Sequence, residues 1–148
     1  MKRIIFYSLF LVFLFNNNVI AKDKFMSLKN SKVNVRYGPG FDSPVKYVYK
    51  KLNLPVKLID KTDLFMRVID LKNNSGWIHW TQLKDANSII ILKNKILFKK
   101  PSNFSKPIVR LEKGRLLIVN ACRNNWCNVT TEEYSGWIKA DKVWGKTN

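Results

Sequence analysis

Two tetrads sixty residues apart, Gly76-Trp77-Ile78-His79 and Gly136-Trp137-Ile138-Lys139, limit what this chain can fold into more than any other feature. They close an ordered series. Leu97 matches Val35, Lys106-Pro107-Ile108-Val109 matches Ser43-Pro44-Val45-Lys46, and Asn125-Trp126-Cys127-Asn128-Val129 matches Leu64-Phe65-Met66-Arg67-Val68, each at a spacing near sixty. One copied tetrad would carry little weight, whereas four matches in the same order at a steady interval mark a duplication. In a chain of 148 residues this leaves two units of about sixty residues, near the lower size limit at which a hydrophobic core sustains a fold.

Within the first unit apolar and polar residues alternate, the period of a half-buried strand, and no segment has the three-to-four spacing of an amphipathic helix. Phe25, Met26 and Leu28 open an irregular first strand, and Val33 and Val35 share one face of the next. Pro44 starts a third, whose core face should include Val45, Tyr47 or Val48, and Tyr49. Residues 54–59 form a fourth with Val56 and Leu58 inward and Pro55 near its start, where a missing N–H breaks no ladder. Polar turns at 60–63 and 73–76 lead into the strands that follow. Trp77, next to a glycine that lets the backbone bend, is expected to fill the barrel interior or its rim. His79 is the single histidine and, without partners around it, reads as a hydrogen-bonded structural residue rather than a catalyst. In the second unit Lys93-Asn94-Lys95 reads as a turn. Short strands with polar turns indicate a small β-barrel, twice.

The strand Val33-Asn34-Val35-Arg36 runs into Tyr37-Gly38-Pro39-Gly40. Pro39 fixes its own φ and biases Gly38 away from the helical region, while Gly40 can take a positive φ without a Cβ clash. Tyr37 and Phe41 flank this loop, and aromatic rings on a rigid loop offer apolar area at low entropic cost. Arg36, Tyr37, Gly38, Pro39, Gly40 and Phe41 are therefore the candidate ligand-binding residues. The second unit carries Phe98-Lys99-Lys100-Pro101-Ser102 at this place, with neither glycine, so the rigid loop is not expected to recur there.

From N-V-R-x-G-P-G through x-P-V to G-W-I-H, the first unit resembles the bacterial SH3 (SH3b) family, small β-barrels usually appended to cell-envelope proteins. With the second unit the resemblance covers essentially the whole chain after its leader. It is similar in particular to two-copy bacterial SH3-like proteins of unknown function exported by alphaproteobacteria. The expectation is an all-β chain of two tandem SH3-like barrels, residues 22–84 and 85–148, after a signal peptide at 1–21. Lys84-Asp85-Ala86-Asn87-Ser88 forms the polar junction, and Ile89-Ile90-Ile91-Leu92 beyond it should be buried between or within the barrels.

The leader has the order of a signal peptide: Lys2 and Arg3, an apolar run over 4–15, then Val19-Ile20-Ala21 with small residues for cleavage. That run is shorter than the roughly twenty residues of a membrane-spanning helix, and no Cys follows it for a lipid anchor, so no stable membrane anchor is expected after cleavage. Export, with the periplasm as compartment, argues against a nucleic-acid partner. The formal charge is +17, and without Lys2 and Arg3 the remaining 25 basic residues against 10 acidic ones leave +15. Two readings of this excess stand side by side. It marks a surface for anionic polymers, or it reflects the Lys, Asn and Ile usage of an AT-rich genome.

Cys122 and Cys127 lie across a short hairpin, and an even cysteine count in an exported chain argues for a disulfide between them. Two Cys and one His fall short of a structural zinc site, and no metal or other cofactor is expected. The Glu132-Glu133 pair sits in an apparent turn and reads as solvated. No paired-carboxylate motif, phosphate loop or metal-binding run is present, so no catalytic residue is assigned and the chain is not expected to be an enzyme. The resemblance implies a binding protein for peptidoglycan or a cell-wall enzyme. The alternative is an envelope adaptor for an extended or Pro-containing peptide, as other SH3 folds are.

Overall fold

The computed structural model describes residues 23–147; the leader and its cleavage position after Ala21 lie outside the described residues. Alternation in the first unit produces β1 (Phe25–Leu28), β2 (Val33–Arg36), β3 (Val45–Tyr49), β4 (Pro55–Lys61), β5 (Phe65–Ile69) and β6 (Ser75–His79). After a 3-10 turn at Trp80–Gln82 comes β7 (Leu83–Asp85). The second unit gives β8 (Ser88–Ile91), β9 (Lys95–Phe98), β10 (Pro107–Leu111), β11 (Leu116–Arg123), β12 (Trp126–Thr130), β13 (Ser135–Lys139) and β14 (Val143–Gly145). The strand order is β3-β2-β6-β5-β4-β1-β7 in one sheet and β10-β9-β13-β12-β11-β8-β14 in the other, the same topology twice. Even the irregularities coincide. A bulge at Lys46 between β2 and β3 recurs at Ile108 between β9 and β10, and one at Ile59 between β4 and β5 recurs at Asn120 between β11 and β12. The chain is thus two tandem SH3-like barrels.

Each sheet curls around its own core. Leu28, Val33, Val35, Val56, Val68 and Ile78 fill the first, and Ile89, Ile91, Leu97, Leu117, Val129 and Ile138 the second. Each fully buried aliphatic side chain contributes about 1.5–3 kcal/mol relative to its exposed state. Two glycines make the closure possible where β6 crosses β2 and β13 crosses β9. A Cβ on Gly76 would lie 2.9 Å from the Arg36 carbonyl oxygen, and one on Gly136 would lie 2.6 Å from that of Phe98.

Several expectations are corrected by the strand registers. Trp77 lies between buried Gly76 and Ile78 and faces outward, half-buried, because side chains alternate and Ile78 takes the core side. Val45 is exposed, since the Lys46 bulge shifts the inward face of β3 to Tyr47 and Tyr49. The Tyr49 hydroxyl donates to Asp70 Oδ2 at 3.1 Å, and burial, more than any neighbouring charge, raises the pKa of this phenol above its usual value. Pro107 pairs with Phe98 as Val45 pairs with Arg36, so the repeat alignment here is offset by one residue from the Pro-to-Pro match.

Lys95 is not in a turn. It begins β9 at the position Val33 occupies in the first barrel, and it is buried. Its Nζ donates to Asp141 Oδ1 at 3.0 Å, while Asp141 Oδ2 pairs with Lys93. Burial pushes the Lys95 ammonium below the usual lysine range, and the hydrogen bonds from Lys93 and Lys95 hold the Asp141 carboxyl down to about 2.

The barrels are joined through faces that would be solvent-exposed in either one alone. Ser27 and Ile90 alternate with core residues, yet Ser27 is fully buried and Ile90 nearly so. A relay of hydrogen bonds crosses the seam: Asn87 N–H donates to Ser27 Oγ (3.2 Å), Ser27 Oγ lies 2.8 Å from Ser88 Oγ, and Ser88 Oγ donates to the Asn53 carbonyl (2.5 Å). Trp144 adds an edge-to-face contact with Phe25, centroids 5.1 Å apart, and its Nε1–H donates to the Pro55 carbonyl at 3.1 Å. Only Ala86 and Asn87 separate β7 from β8, so the junction is shorter than its polar composition suggests.

Candidate functional site

The loop after β2 is tied down by its own backbone and by Arg36. Tyr37 N–H donates to the Pro44 carbonyl, Gly40 N–H to Gly38 and Ser43 N–H to Gly40. Arg36 ends β2 and sends one guanidinium nitrogen to the carbonyls of Phe41 (3.2 Å) and Ser43 (2.7 Å). Its Nη1 is thus committed to the loop, which leaves Nη2 and Nε for other partners. Among the described residues the glycines with positive φ are Gly114 and Gly145, so Gly40 does not play the conformational part expected of it.

This explains a second correction. The loop of the second barrel reproduces the first bond for bond: Lys99 N–H to Lys106, Ser102 N–H to Lys100, Ser105 N–H to Ser102. A loop that needs no left-handed residue tolerates lysine and serine where the first barrel has glycine. The scaffold is therefore shared, and the side chains mounted on it differ.

In the first barrel those side chains form two surfaces. Phe41, 66% exposed, stacks at 5.1 Å on His79, and the two rings are tilted by 32°. His79 continues to Trp80 at 6.3 Å with the same tilt, and Trp80 is itself 51% exposed. Phe65 supports both Phe41 and His79 edge-on at 5.2 Å, and His79 Nδ1 bonds Thr81 Oγ1 at 2.7 Å. Leu64, exposed at the tip of the β4–β5 hairpin just before Phe65, accepts the Trp80 N–H at its carbonyl (3.0 Å). The result is an open aromatic shelf.

Tyr37, equally exposed, lies apart from this shelf, against a basic notch of about 220 Å³. Arg36, Trp77 and Arg67 are cross-strand neighbours on the outer face of β2, β6 and β5. Lys46 lies 5.6 Å from the centre of the Tyr37 ring and donates to the Ser75 carbonyl at 2.9 Å. Among the described residues none of these three cations is in an ion pair; the three pairs found involve Lys57, Lys93 and Lys95. Unneutralised charge beside one indole and one phenol ring suits a carboxylate or other small anion.

The structure brings together Arg36, Tyr37 and Phe41 from the sequence-based set, with Gly38, Pro39 and Gly40 as the spacer that splays the two rings apart. Leu64, His79, Trp80, Trp77, Arg67 and Lys46 join them from distant positions that the sequence reading did not assign to the site. The run Trp77-Ile78-His79-Trp80 was the available signal, because alternation sends Trp77 and His79 outward together. The second barrel has Asn103 for Phe41, Lys139 for His79 and Ala140 for Trp80, and Lys139 covers the face of Trp126 at 5.9 Å. Its loop exposes Phe104 instead, one position on, and among the described residues no ring stacks on it to form a comparable shelf. Its hairpin carries instead the Cys122–Cys127 disulfide, formed as expected across paired positions of β11 and β12 with Cα atoms 4.1 Å apart. Asn124 and Asn125, both at positive φ, make the two-residue turn at its tip.

The profile of the family described as bacterial SH3 domain matches residues 29–85 and again 93–145. Two solved structures are similar to the chain, NlpC2 and NlpC1 from Trichomonas vaginalis, each at a TM-score of 0.39 over 84% of this chain, with 14% and 12% identity. The chain spans about half the length of these structures, 48% and 46%. No curated protein matches it.

Proposed function

The chain belongs to the bacterial SH3 domain family, and from that premise we propose that it is a non-enzymatic binding protein of the cell envelope, exported to the periplasm, which recognises peptidoglycan or an enzyme acting on it. The observation that carries this reading is the pairing of an aromatic shelf with a basic notch on either side of one loop. Sugar rings present apolar faces that stack on Phe41, His79 and Trp80, and the carboxylates of stem peptides fit a notch lined by Arg36, Lys46 and Arg67. Binding falls to the first barrel, and the second, with the same loop but no shelf, supports it. The net charge of +15 after the leader gives attraction and a faster encounter more than specificity.

The test is a pull-down of the mature chain with purified sacculi at low and high salt. Phe41→Ala and Trp80→Ala should each weaken binding by about 1–2 kcal/mol, the size of a truncated contact aromatic, with the melting curve unchanged. If both variants bind like the parent while high salt abolishes all binding, the shelf is not a contact surface and the protein acts as a polycation. Capture of an envelope protein through the shelf, with no retention on sacculi, would favour the adaptor reading.

A further inference from the structure

A second cleft, far larger than the notch, opens between the barrels. It measures about 660 Å³, and its walls come from different copies of the repeat. One wall is the β3–β4 connection with Lys50, Lys51 and Asn53; the other is the start of β11 with Arg115, and the β12–β13 turn with Glu132 and Glu133. Ile118 and Thr130, paired across β11 and β12, also line it.

Both walls are held in place before any ligand arrives. Asn53 N–H donates to the Leu28 carbonyl, and the Asn53 carbonyl receives the seam bond from Ser88. In the turn, Thr131 Oγ1 accepts from the N–H groups of Glu133 (3.2 Å) and Tyr134 (2.9 Å), and Thr131 N–H donates to the Tyr134 carbonyl. The two glutamates therefore project from a locked turn. Cations and carboxylates line one cleft, yet no ion pair joins Lys50, Lys51 or Arg115 to Glu132 or Glu133 among the described residues. Opposite charges that share a cleft without contact leave a gap for a molecule carrying both signs.

We infer that this inter-barrel cleft is a second binding site, for a short peptide with a free carboxylate and an ammonium group several atoms away. The carboxylate lies toward Lys50, Lys51 and Arg115, the ammonium toward Glu132 and Glu133, and the peptide's apolar atoms against Ile118. The volume falls within the range of about 300–1,000 Å³ typical of small-ligand sites, and suits a few residues rather than a folded partner. This site is independent of the shelf.

The test uses the mature, disulfide-bonded chain and the probe N-acetyl-Ala-Ala-Lys-Ala with a free C-terminus, followed by amide chemical shifts. Saturable shifts are expected at Lys50–Asn53 and Thr131–Tyr134 and not at Phe41 or Trp80. Amidating the C-terminus, acetylating the lysine, or the variants Lys50→Gln/Lys51→Gln and Glu132→Gln/Glu133→Gln should each reduce affinity about two- to fivefold per charge removed. Phe41→Ala should leave this binding unchanged while it weakens retention on sacculi, so the two readings fail separately. A longer chain ending in the same residues should bind no more tightly than the short probe; binding by the long chain alone would overturn the assignment to short peptides. Amidated and acetylated probes that bind as tightly as the unmodified one, or no saturable shift at the cleft, would overturn the site.

Discussion

Asp141→Ala and Lys95→Val cut the same ion pair from opposite ends, and the structure predicts opposite signs for them. Removing Asp141 leaves the Lys95 ammonium, whose side chain is 4% exposed, inside the second barrel without its partner. Loss of one member of a fully buried pair costs about 3–5 kcal/mol. Asp141 is 38% exposed, so solvent already screens part of the interaction, and about 1–3 kcal/mol is the expected loss. Replacing Lys95 by valine instead removes the buried charge and installs the residue that fills this position in the first barrel, Val33. Asp141 keeps Lys93. The result should lie between no change and about 2 kcal/mol of added stability, because buried pairs often do no better than apolar side chains of similar size.

Urea unfolding of the mature chain at neutral pH reads both. The pH dependence supplies a further check. Asp141 titrates lower in the folded chain, near 2, than its usual 3.8, so its contribution is complete above about pH 4 and is lost as pH falls toward 2. The gap between parent and Asp141→Ala should close over that interval. Lys95 is shifted down by burial, which penalises folding while the ammonium is charged in both states. Raising the pH into the lysine range relieves that penalty, and Lys95→Val should lack the corresponding gain in stability. A loss of more than about 1 kcal/mol in Lys95→Val, together with a neutral Asp141→Ala, would refute the reasoning.

Trp144→Ala should remove about 2–3 kcal/mol by deleting the edge-to-face contact with Phe25 and the bond to Pro55, and should split one calorimetric transition into two; an unaltered single transition would mean that the seam does not couple the barrels. Gly76→Ala should destabilise by about 1–3 kcal/mol through overpacking against buried Val35 and the Arg36 carbonyl, whereas Gly40→Ala, with no positive φ to preserve and only the exposed Asp42 carboxylate to turn aside, should fall within about 0.5 kcal/mol of the parent; equal effects in urea titrations would contradict the division of labour between these glycines. Intact-mass analysis after alkylation should find both sulfurs protected until reduction, and reduction should cost about 2 kcal/mol, the chain entropy of so small a loop. The exported protein should begin at Lys22, and recovery of a chain retaining residues 1–21 in soluble form would contradict cleavage after Ala21.

The barrels were legible because duplication wrote the same strand pattern twice, and the register of β5, β6, β12 and β13 agrees with that pattern residue for residue. The bulges were not. An extra residue at Lys46 or Ile59 inverts the faces downstream of it, and nothing in the composition of either position marks it. Val45 and the Pro107 alignment were misread for that reason. Trp77 was misplaced because size was weighed above alternation: Ile78 already occupied the inward position. The candidate loop was visible in the sequence, but the shelf depends on β5, β6 and the 3-10 turn converging on it, which no local pattern encodes. Lys95 was hidden because its only structural justification, Asp141, lies forty-six positions further along.

The seam between the barrels bears on how such a chain can change over generations. Ser27, Ile90, Phe25 and Trp144 occupy positions that in a solitary barrel would point to water, and two of the four are large aromatics. Once each copy had acquired side chains that only the other could cover, loss of either would leave its sibling with an adhesive flank and a strand face prone to self-association. The duplication then behaves as a ratchet. Either copy remains free to change the side chains mounted on its loop, as the second carries Asn103, Lys139 and Ala140 where the first has Phe41, His79 and Trp80, while neither is free to be deleted.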